Sequence, residues 1–423
     1  MKTPTDRDHK DYQNAIDMAY EKVLGFGAKS TVHASLVPAI LSDEEAQGFI
    51  DRYSVLRQFM AISQELFSET LVDDSKKPLR DLILNDTPSG FGLDYHQNIY
   101  RLPSSLPYFF RTDECIPGKI SEIQYEGSLW GNVQVLQSTL AYMSQFAQFP
   151  LREFNSISIA QHVAEAIRSL TQDHPYVFHQ IDESSNMLDM NYFIASIRQH
   201  GIKFLGHDYE VSLHNFSFIQ THSFLELVHS SCFADMMTRY EKNELVFNVF
   251  PSILFYQKIA LAFPFWEKTR ERYSDAIRDL FPYTSLVMHD VTVEGDRHMS
   301  LYDFANQPTH ERDYFLKYAG ANGTINWGSK AVYHLGKSHK NTCLMLLTMA
   351  SEDFAKGSPW ILQKAHHRKE QVTYSNSDVI ESNPMYSKWS GFYGPKGFLG
   401  GHVMNRSFYK VHGQQDTVCR LLL

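Results

Sequence analysis

Apolar residues recur at intervals of three and four from Leu41 to Phe67, in LSDEEAQGFIDRYSVLRQFMAISQELF. Ser42 stands at the N-cap position and Asp43, Glu44 and Glu45 fill the first turn, so the stretch predicts a helix. Residues 11–72 as a whole carry this helical pattern. From residue 90 to 127 the pattern shortens toward strands. FFRTDECIPGKISEIQYEG, residues 109–127, holds two alternating runs joined by Pro117-Gly118 and predicts a hairpin. GSLWGNVQVLQSTLAYMSQF, which follows, predicts a glycine-containing loop running into a helix.

Residues 157–250 alternate between strand and helix patterns. YVFHQID (Tyr176–Asp182) reads as a buried strand, SNMLDMNYFIASIRQHG as a helix stopped at Gly201, IKFLGH (Ile202–His207) as the next strand, and ELVFNVF (Glu244–Phe250) as another. This order predicts a parallel sheet of Rossmann type, although no GxGxxG fingerprint follows the first strand. Residues 252–282 look helical. Asp313–Leu335 predicts strand, glycine-rich loop, strand; NTCLMLLTMASEDFA a helix; and Ser358–Ala365 a strand. Residues 366–396 read as polar and turn-rich, and the C-terminal stretch as strands broken by glycine.

The 423 residues are enough for two or three domains. A hydrophobic content of 43% with 29 Phe and 23 Tyr argues against disorder. The net charge of −9 is spread along the chain and gives no basic face for nucleic acid. Four cysteines without a CxxC pair suggest neither a disulfide framework nor a cysteine zinc site, so a cytoplasmic location is expected. The first fifteen residues are polar, unlike a secretion signal, and no apolar run reaches the length of a membrane span. The 20 histidines form no HExxH, and His366-His367 sit in a polar stretch, so no zinc site is expected.

Chemistry concentrates in the hairpin. If its runs pair, Asp113 and Glu122 share a face, and like charges opposite one another destabilise a sheet. Mg²⁺ would offset that repulsion, since it takes one or two carboxylates plus phosphate oxygens. Arg111, two residues from Asp113, lies on the same face and would suit a phosphate. A solvated hairpin whose charges never meet is the competing reading. Lys317 ends a strand before a glycine-rich turn, an arrangement that suits nucleotide phosphates or, more plainly, an exposed hairpin lysine. Trp360–Ala365 either presents backbone groups to an adenine edge or is an ordinary buried strand.

In this order the motifs resemble the circularly permuted ATP-grasp domain of glutathionylspermidine synthases and their relatives, over residues 100–423. FFRTDE is similar to the family's GRFDF strand, which implies a phosphate contact for Arg111 and a metal for Asp113. EIQYEG is similar to EYNADTP, which implies metal ligation by Glu122 and by Gln124 in place of asparagine, with Glu126 as the other candidate. QKIALAFP resembles the family's NKALLP, pointing to Lys258. KYAGANG resembles the lysine strand and glycine-rich loop, pointing to Lys317, Gly320 and Gly323. WILQ resembles IYQQ, placing Leu362 and Gln363 near the adenine, and GHVMNR resembles the late GTCLR strand, placing Arg406 at the transferred phosphoryl group. The sequence departs from the family at Gln124 and lacks the arginine of the glycine-rich loop.

The resemblance implies an α+β fold: a circularly permuted ATP-grasp with an N-terminal helical region (1–90), metal-binding strands (91–150), an inserted Rossmann-like α/β section (151–255) and a lysine and glycine-loop part with the C-terminal strands (256–423). It implies ATP and Mg²⁺, and an ADP-forming carboxylate–amine ligase that joins a small-molecule or peptide carboxylate to an amine through an acyl phosphate. Arg111 and Arg406 would act in catalysis. Neither nucleic acid nor a membrane is expected as a partner. Two alternatives stand beside it: an inactive nucleotide-binding homologue serving in a complex, and a plain α/β binding protein.

Overall fold

A computed structural model describes residues 4–423, apart from 26, 31, 86, 88, 126–128, 146–151, 173–175, 180–186, 205–216, 221–223, 323–329, 377–378 and 412–415. The helical pattern at the N-terminus resolves into two helices, α1 (Asp6–Leu24) and α2 (Asp43–Val72). Each begins with a capping box. In α2 the Ser42 hydroxyl accepts from the Glu45 N–H at 3.1 Å, and the Glu45 carboxylate accepts from the Ser42 N–H at 2.9 Å, satisfying two of the donors that a helix start leaves unpaired. Between the helices lies a short strand, β1 (His33–Ala34).

The hairpin forms as the alternation predicts, from β2 (Phe110–Ile116) and β3 (Lys119–Gln124). Gly118 supplies the positive φ of the turn at 92°. β2 pairs with the second half of a long strand, β15 (Val379–Gly394), whose first half pairs with β14 (Lys369–Asn376). Next come β16 (Gly397–Arg406) and β17 (Val418–Leu421), and β17 pairs in parallel with β1. Among the described residues these seven strands make one sheet, otherwise antiparallel, in the order β1-β17-β16-β15-β2-β3 with β14 on β15. It ties the N-terminal stretch to the C-terminal one. One face packs on α2, burying Phe49, Leu56 and Phe59 with Trp389, Tyr393 and Val403. The other packs on α1 and the helix Trp130–Ser138, burying Tyr12 and Val133 with Phe392, Met404 and Leu421. α2 is also fastened by charge: Arg52 Nη1 donates to both carboxylate oxygens of Glu114, at 2.6 and 2.7 Å, with Glu114 fully buried.

Two expectations fail in this sheet. Where turns are expected at 366–396, the described residues are mostly strand, β14 and β15: from Met385 the burial alternates, Met385, Ser387 and Trp389 buried against half-buried Tyr386 and Lys388. The glycines of β16 do not break it either. A Cβ at Gly401 would lie 2.3 Å from the Ser390 carbonyl oxygen, so glycine there permits close approach within a continuous strand.

Four parallel strands, β4 (Tyr176–His179), β5 (Lys203–Phe204), β6 (Phe218–Gln220) and β7 (Val246–Phe247), lie in the order β5-β4-β6-β7, in the region where strand–helix alternation predicts parallel pairing. The ends of the expected strands at 180–182 and 205–207 lie outside the described residues. The second antiparallel sheet contains β8 (Thr284–Leu286), β11 (Tyr314–Tyr318), β12 (Val332–His334) and β13 (Trp360–Lys364), in the order β12-β11-β13-β8. β9 (Asp290–Val293) and β10 (Arg297–Ser300) form a separate hairpin. The helix Lys340–Ala355 lays Cys343, Leu347 and Ala350 on Leu316, Trp360 and Leu362 of this sheet. Residues 252–282 are not one helix. They fold as 3₁₀ turns (Ile253–Tyr256, Ile259–Ala262 and Arg270–Arg272) and one short helix, Asp275–Leu280; the apolar residues from Ile253 to Phe263 are buried in succession rather than along one helical face. Leu93–Ile99 is helical where strands are expected. Among the described residues, no helix is long and apolar enough to cross a membrane.

Candidate functional site

The hairpin register sets Asp113 opposite Glu122 and Arg111 opposite Gln124. The facing carboxylates are neutralised by the protein's own cations. Asp113, 1% exposed, accepts from Arg111 Nε at 2.9 Å and Ser390 Oγ at 2.8 Å on Oδ1, and from Arg111 Nη2 at 3.1 Å and Lys388 Nζ at 2.8 Å on Oδ2. Glu122 pairs with Lys258 at 3.3 Å. Burial alone would raise both carboxyls. The Arg111 and Lys388 charges outweigh it at Asp113, and Lys258, Lys317 and Lys388 outweigh it at Glu122, so both are held below the usual carboxylate range. The repulsion expected between the facing acids is therefore offset by protein cations, without a metal.

Lys317 lies within β11, between β12 and β13, and is 8% exposed. It is therefore not the loop-edge lysine that the sequence suggests. Its Nζ donates to Gln363 Oε1 at 2.6 Å and to the Ser121 carbonyl at 3.2 Å, bridging the two antiparallel sheets. Burial pulls its pKa down, against the attraction of Glu122. Gln363 is fixed by donating to Thr284 Oγ1 at 3.1 Å. Lys258 stands just before a 3₁₀ turn, not inside a helix, and its backbone N–H donates to the Ala319 carbonyl at 3.0 Å, beside buried Gly320. Glu122, Lys258 and Lys317, together with Lys388, Lys410 and His367, line one cleft between the two sheets.

Other expected residues sit elsewhere. Arg111, 2% exposed, is spent on Asp113 and on Gln124 Oε1 at 2.5 Å, and does not line the cleft. Leu362 is fully buried under the helix Lys340–Ala355, and its strand is flanked by Leu316 and Ser285, so its backbone is committed to the ladder and closed to an adenine edge. Arg406 turns onto Asp416, at 2.9 and 2.6 Å, and onto the Lys410 carbonyl at 2.8 Å, and does not line the cleft. Gly323 and Glu126 lie outside the described residues. The donor chemistry also revises the metal set of Asp113, Glu122 and Gln124. Both Asp113 oxygens and the Gln124 carbonyl are occupied by cationic donors, which leaves Glu122, half-buried at the cleft, as the carboxylate that fits Mg²⁺ together with phosphate oxygens.

Sequence reading missed Lys388, Ser390 and Lys410. Lys388 and Ser390 belong to β15; the alternation of Met385, Ser387 and Trp389 with polar neighbours was the available signal, masked by Pro384 and the serines.

No protein-family model and no curated protein matches the chain. Among solved structures, a glutathione synthetase-like effector from Globodera pallida, in its apo form, is similar over 99% of this chain and 96% of its own, with a TM-score of 0.56 and 12% identity. A candidate gamma-glutamylcysteine synthetase from Methylobacillus flagellatus aligns over 89% of this chain and 87% of its own, with a TM-score of 0.42 and 9% identity. The first likeness extends along nearly the whole of both chains and identifies a shared fold.

Proposed function

We propose that the protein is an ATP-dependent carboxylate–amine ligase of the permuted ATP-grasp kind. One observation carries the reading: lysines from four separate segments, Lys258, Lys317, Lys388 and Lys410, converge on a cleft around Glu122, the one carboxylate among its described lining residues. A cluster of ammonium groups beside one carboxylate matches a polyphosphate with its metal. The fold shared with a chain described as glutathione synthetase-like supports ligation as the chemistry.

The substrate carboxylate attacks the γ-phosphorus in line, giving an acyl phosphate and ADP. The amine then attacks the acyl carbon, and the tetrahedral intermediate collapses to amide and phosphate. Lys258, Lys317 and Lys388 offset the charge on the transferring group. Mg²⁺, held by Glu122 and the phosphate oxygens, would add charge neutralisation. Asp113 acts indirectly, by fixing the Lys388 ammonium at the cleft wall while Arg111 braces the carboxylate from behind. A second reading, nucleotide binding without turnover, draws on the commitment of Asp113 to Arg111 and Lys388, which leaves one carboxylate where the family pattern has more.

Mg-ATP at a hundredfold excess over its Kd is expected to stabilise the wild type by about 2.7 kcal/mol. Glu122→Gln should lose the magnesium-dependent part of that stabilisation and keep the part seen with ATP and chelator. Thermal melts with and without Mg²⁺ test this. Identical magnesium responses in both proteins would remove Glu122 from the metal, and no response to ATP at all would overturn the nucleotide reading. ADP release on adding panels of acids and amines separates the ligase from the silent binder.

A further inference from the structure

We propose that Asp313, His334 and His367 form a binding site for a zinc-class divalent cation, at the seam between the second antiparallel sheet and the start of β14. The site is independent of the nucleotide reading. Its three side chains come from three segments: the residue before β11, the last residue of β12, and the link from β13 to β14. Each segment is fixed by backbone pairing. Phe315 pairs with His334 across the ladder, the Ala365 N–H donates to the Asp313 carbonyl at 2.9 Å, and the Ser387 N–H donates to the Arg368 carbonyl at 2.9 Å.

The ligand atoms already make a compact triangle. His334 Nε2 lies 2.6 Å from Asp313 Oδ1, His367 Nε2 lies 3.9 Å from the same oxygen, and the two Nε2 atoms are 3.5 Å apart. Tetrahedral bonds of about 2.0–2.1 Å put neighbouring ligand atoms about 3.3 Å apart. The three edges bracket that value, so a cation needs only to open the Asp313–His334 edge and draw His367 inward. Without one, the Asp313–His334 hydrogen bond is good, whereas His367 faces its neighbours at the outer limit of hydrogen bonding. Two imidazoles and one carboxylate are the donor set of a borderline dication rather than of Mg²⁺. The His334 ring is held by Phe315 and Tyr409, with centroids 4.8 and 5.2 Å away. The nearby Lys337 ammonium donates to the Tyr386 hydroxyl at 2.6 Å and lies over the Tyr386 and Tyr409 rings; its charge also disfavours protonation of His334 and His367 and so keeps their ring nitrogens available as ligands. The three side chains line a groove that also holds Thr309 and His310, open enough for a water or a fourth ligand. His367 lines both this groove and the nucleotide cleft, so a bound ion pins part of the cleft wall.

Co²⁺, which reports four-coordinate geometry through its visible absorption, is the probe. The chelator-treated full chain should bind a single equivalent with those bands, and Zn²⁺ should bleach them. His367→Gln, a half-buried substitution, should weaken Co²⁺ binding by at least about tenfold and remove the bands, while His366→Ala leaves Co²⁺ binding unchanged. Melts in chelator check that the variants are folded. Absence of the bands from wild type, or their survival in both His367→Gln and Asp313→Asn, would overturn the site and leave a plain aspartate–histidine pair.

Discussion

Asp113→Asn is expected to destabilise the protein by about 3–5 kcal/mol, the cost of leaving a buried charge without its partner. The substitution keeps the shape of the side chain, so packing is not the cause. It removes the one negative charge that Arg111, 2% exposed, and Lys388 share. An amide also cannot accept from all the donors that now converge on the carboxylate, and its NH₂ would point at cations. Because the folded-state carboxyl is held below its usual range, its contribution is fully present above the ordinary carboxylate pKa and is lost as pH falls toward strong acid. The urea midpoint of wild type and variant measures the loss. Lys388→Met in the Asp113→Asn background should recover much of it, since the second change removes the orphaned cation, and the two sites should be strongly non-additive. A variant as stable as wild type would show instead that repulsion between Asp113 and Glu122, paired across β2 and β3, dominates the hairpin.

What the sequence conveyed of this site depended on distance along the chain. The hairpin and the Asp113–Glu122 register are local, encoded by alternation and a Pro-Gly turn, and both were legible. The cap of α2 was equally plain at Ser42 and Glu45. The neutralising partners were not, because Lys388 and Ser390 come from a strand 275 and 277 residues away. Without them the two acids seemed to require a metal. The glycines of β16 misled for a related reason: a glycine that breaks a strand and one that admits a neighbouring backbone look alike until the neighbour is known. The Asp313, His334 and His367 triangle shows the same limit, since its members are separated by spacings that no short metal motif uses. The lysines were found only in part. Lys317 precedes a recognisable glycine-rich turn and Lys258 came only through the QKIALAFP resemblance, whereas Lys410 follows a strand whose partner lies beyond it in the chain.

Asp189→Asn is expected to raise stability at neutral pH and to change it little near pH 4. Asp189 is 3% exposed, and its carboxyl oxygens lie near the N–H groups of Leu129, Gly131 and Asn132 without a well-formed hydrogen bond. It lies against the start of the helix Trp130–Ser138, where a Cβ at Gly131 would stand 2.8 Å from Asp189 Oδ1. Burial pushes the carboxyl from 3.8 up to about 7, while the nearby N–H groups of that helix start and the Arg111 charge pull the other way without overcoming it. The folded state therefore keeps a proton that the unfolded chain releases near pH 4. Stability falls as pH rises between the two values, and above about 7 the penalty is complete. At about 1.4 kcal/mol per pH unit the loss is on the order of 4 kcal/mol. Asparagine carries no such proton, so the melting curves of wild type and variant should coincide near pH 4 and diverge steadily up to pH 8, with the variant higher. If the variant melts lower at pH 8, the ionised carboxylate is a helix cap in its own right, stabilised by the N–H groups of Leu129, Gly131 and Asn132.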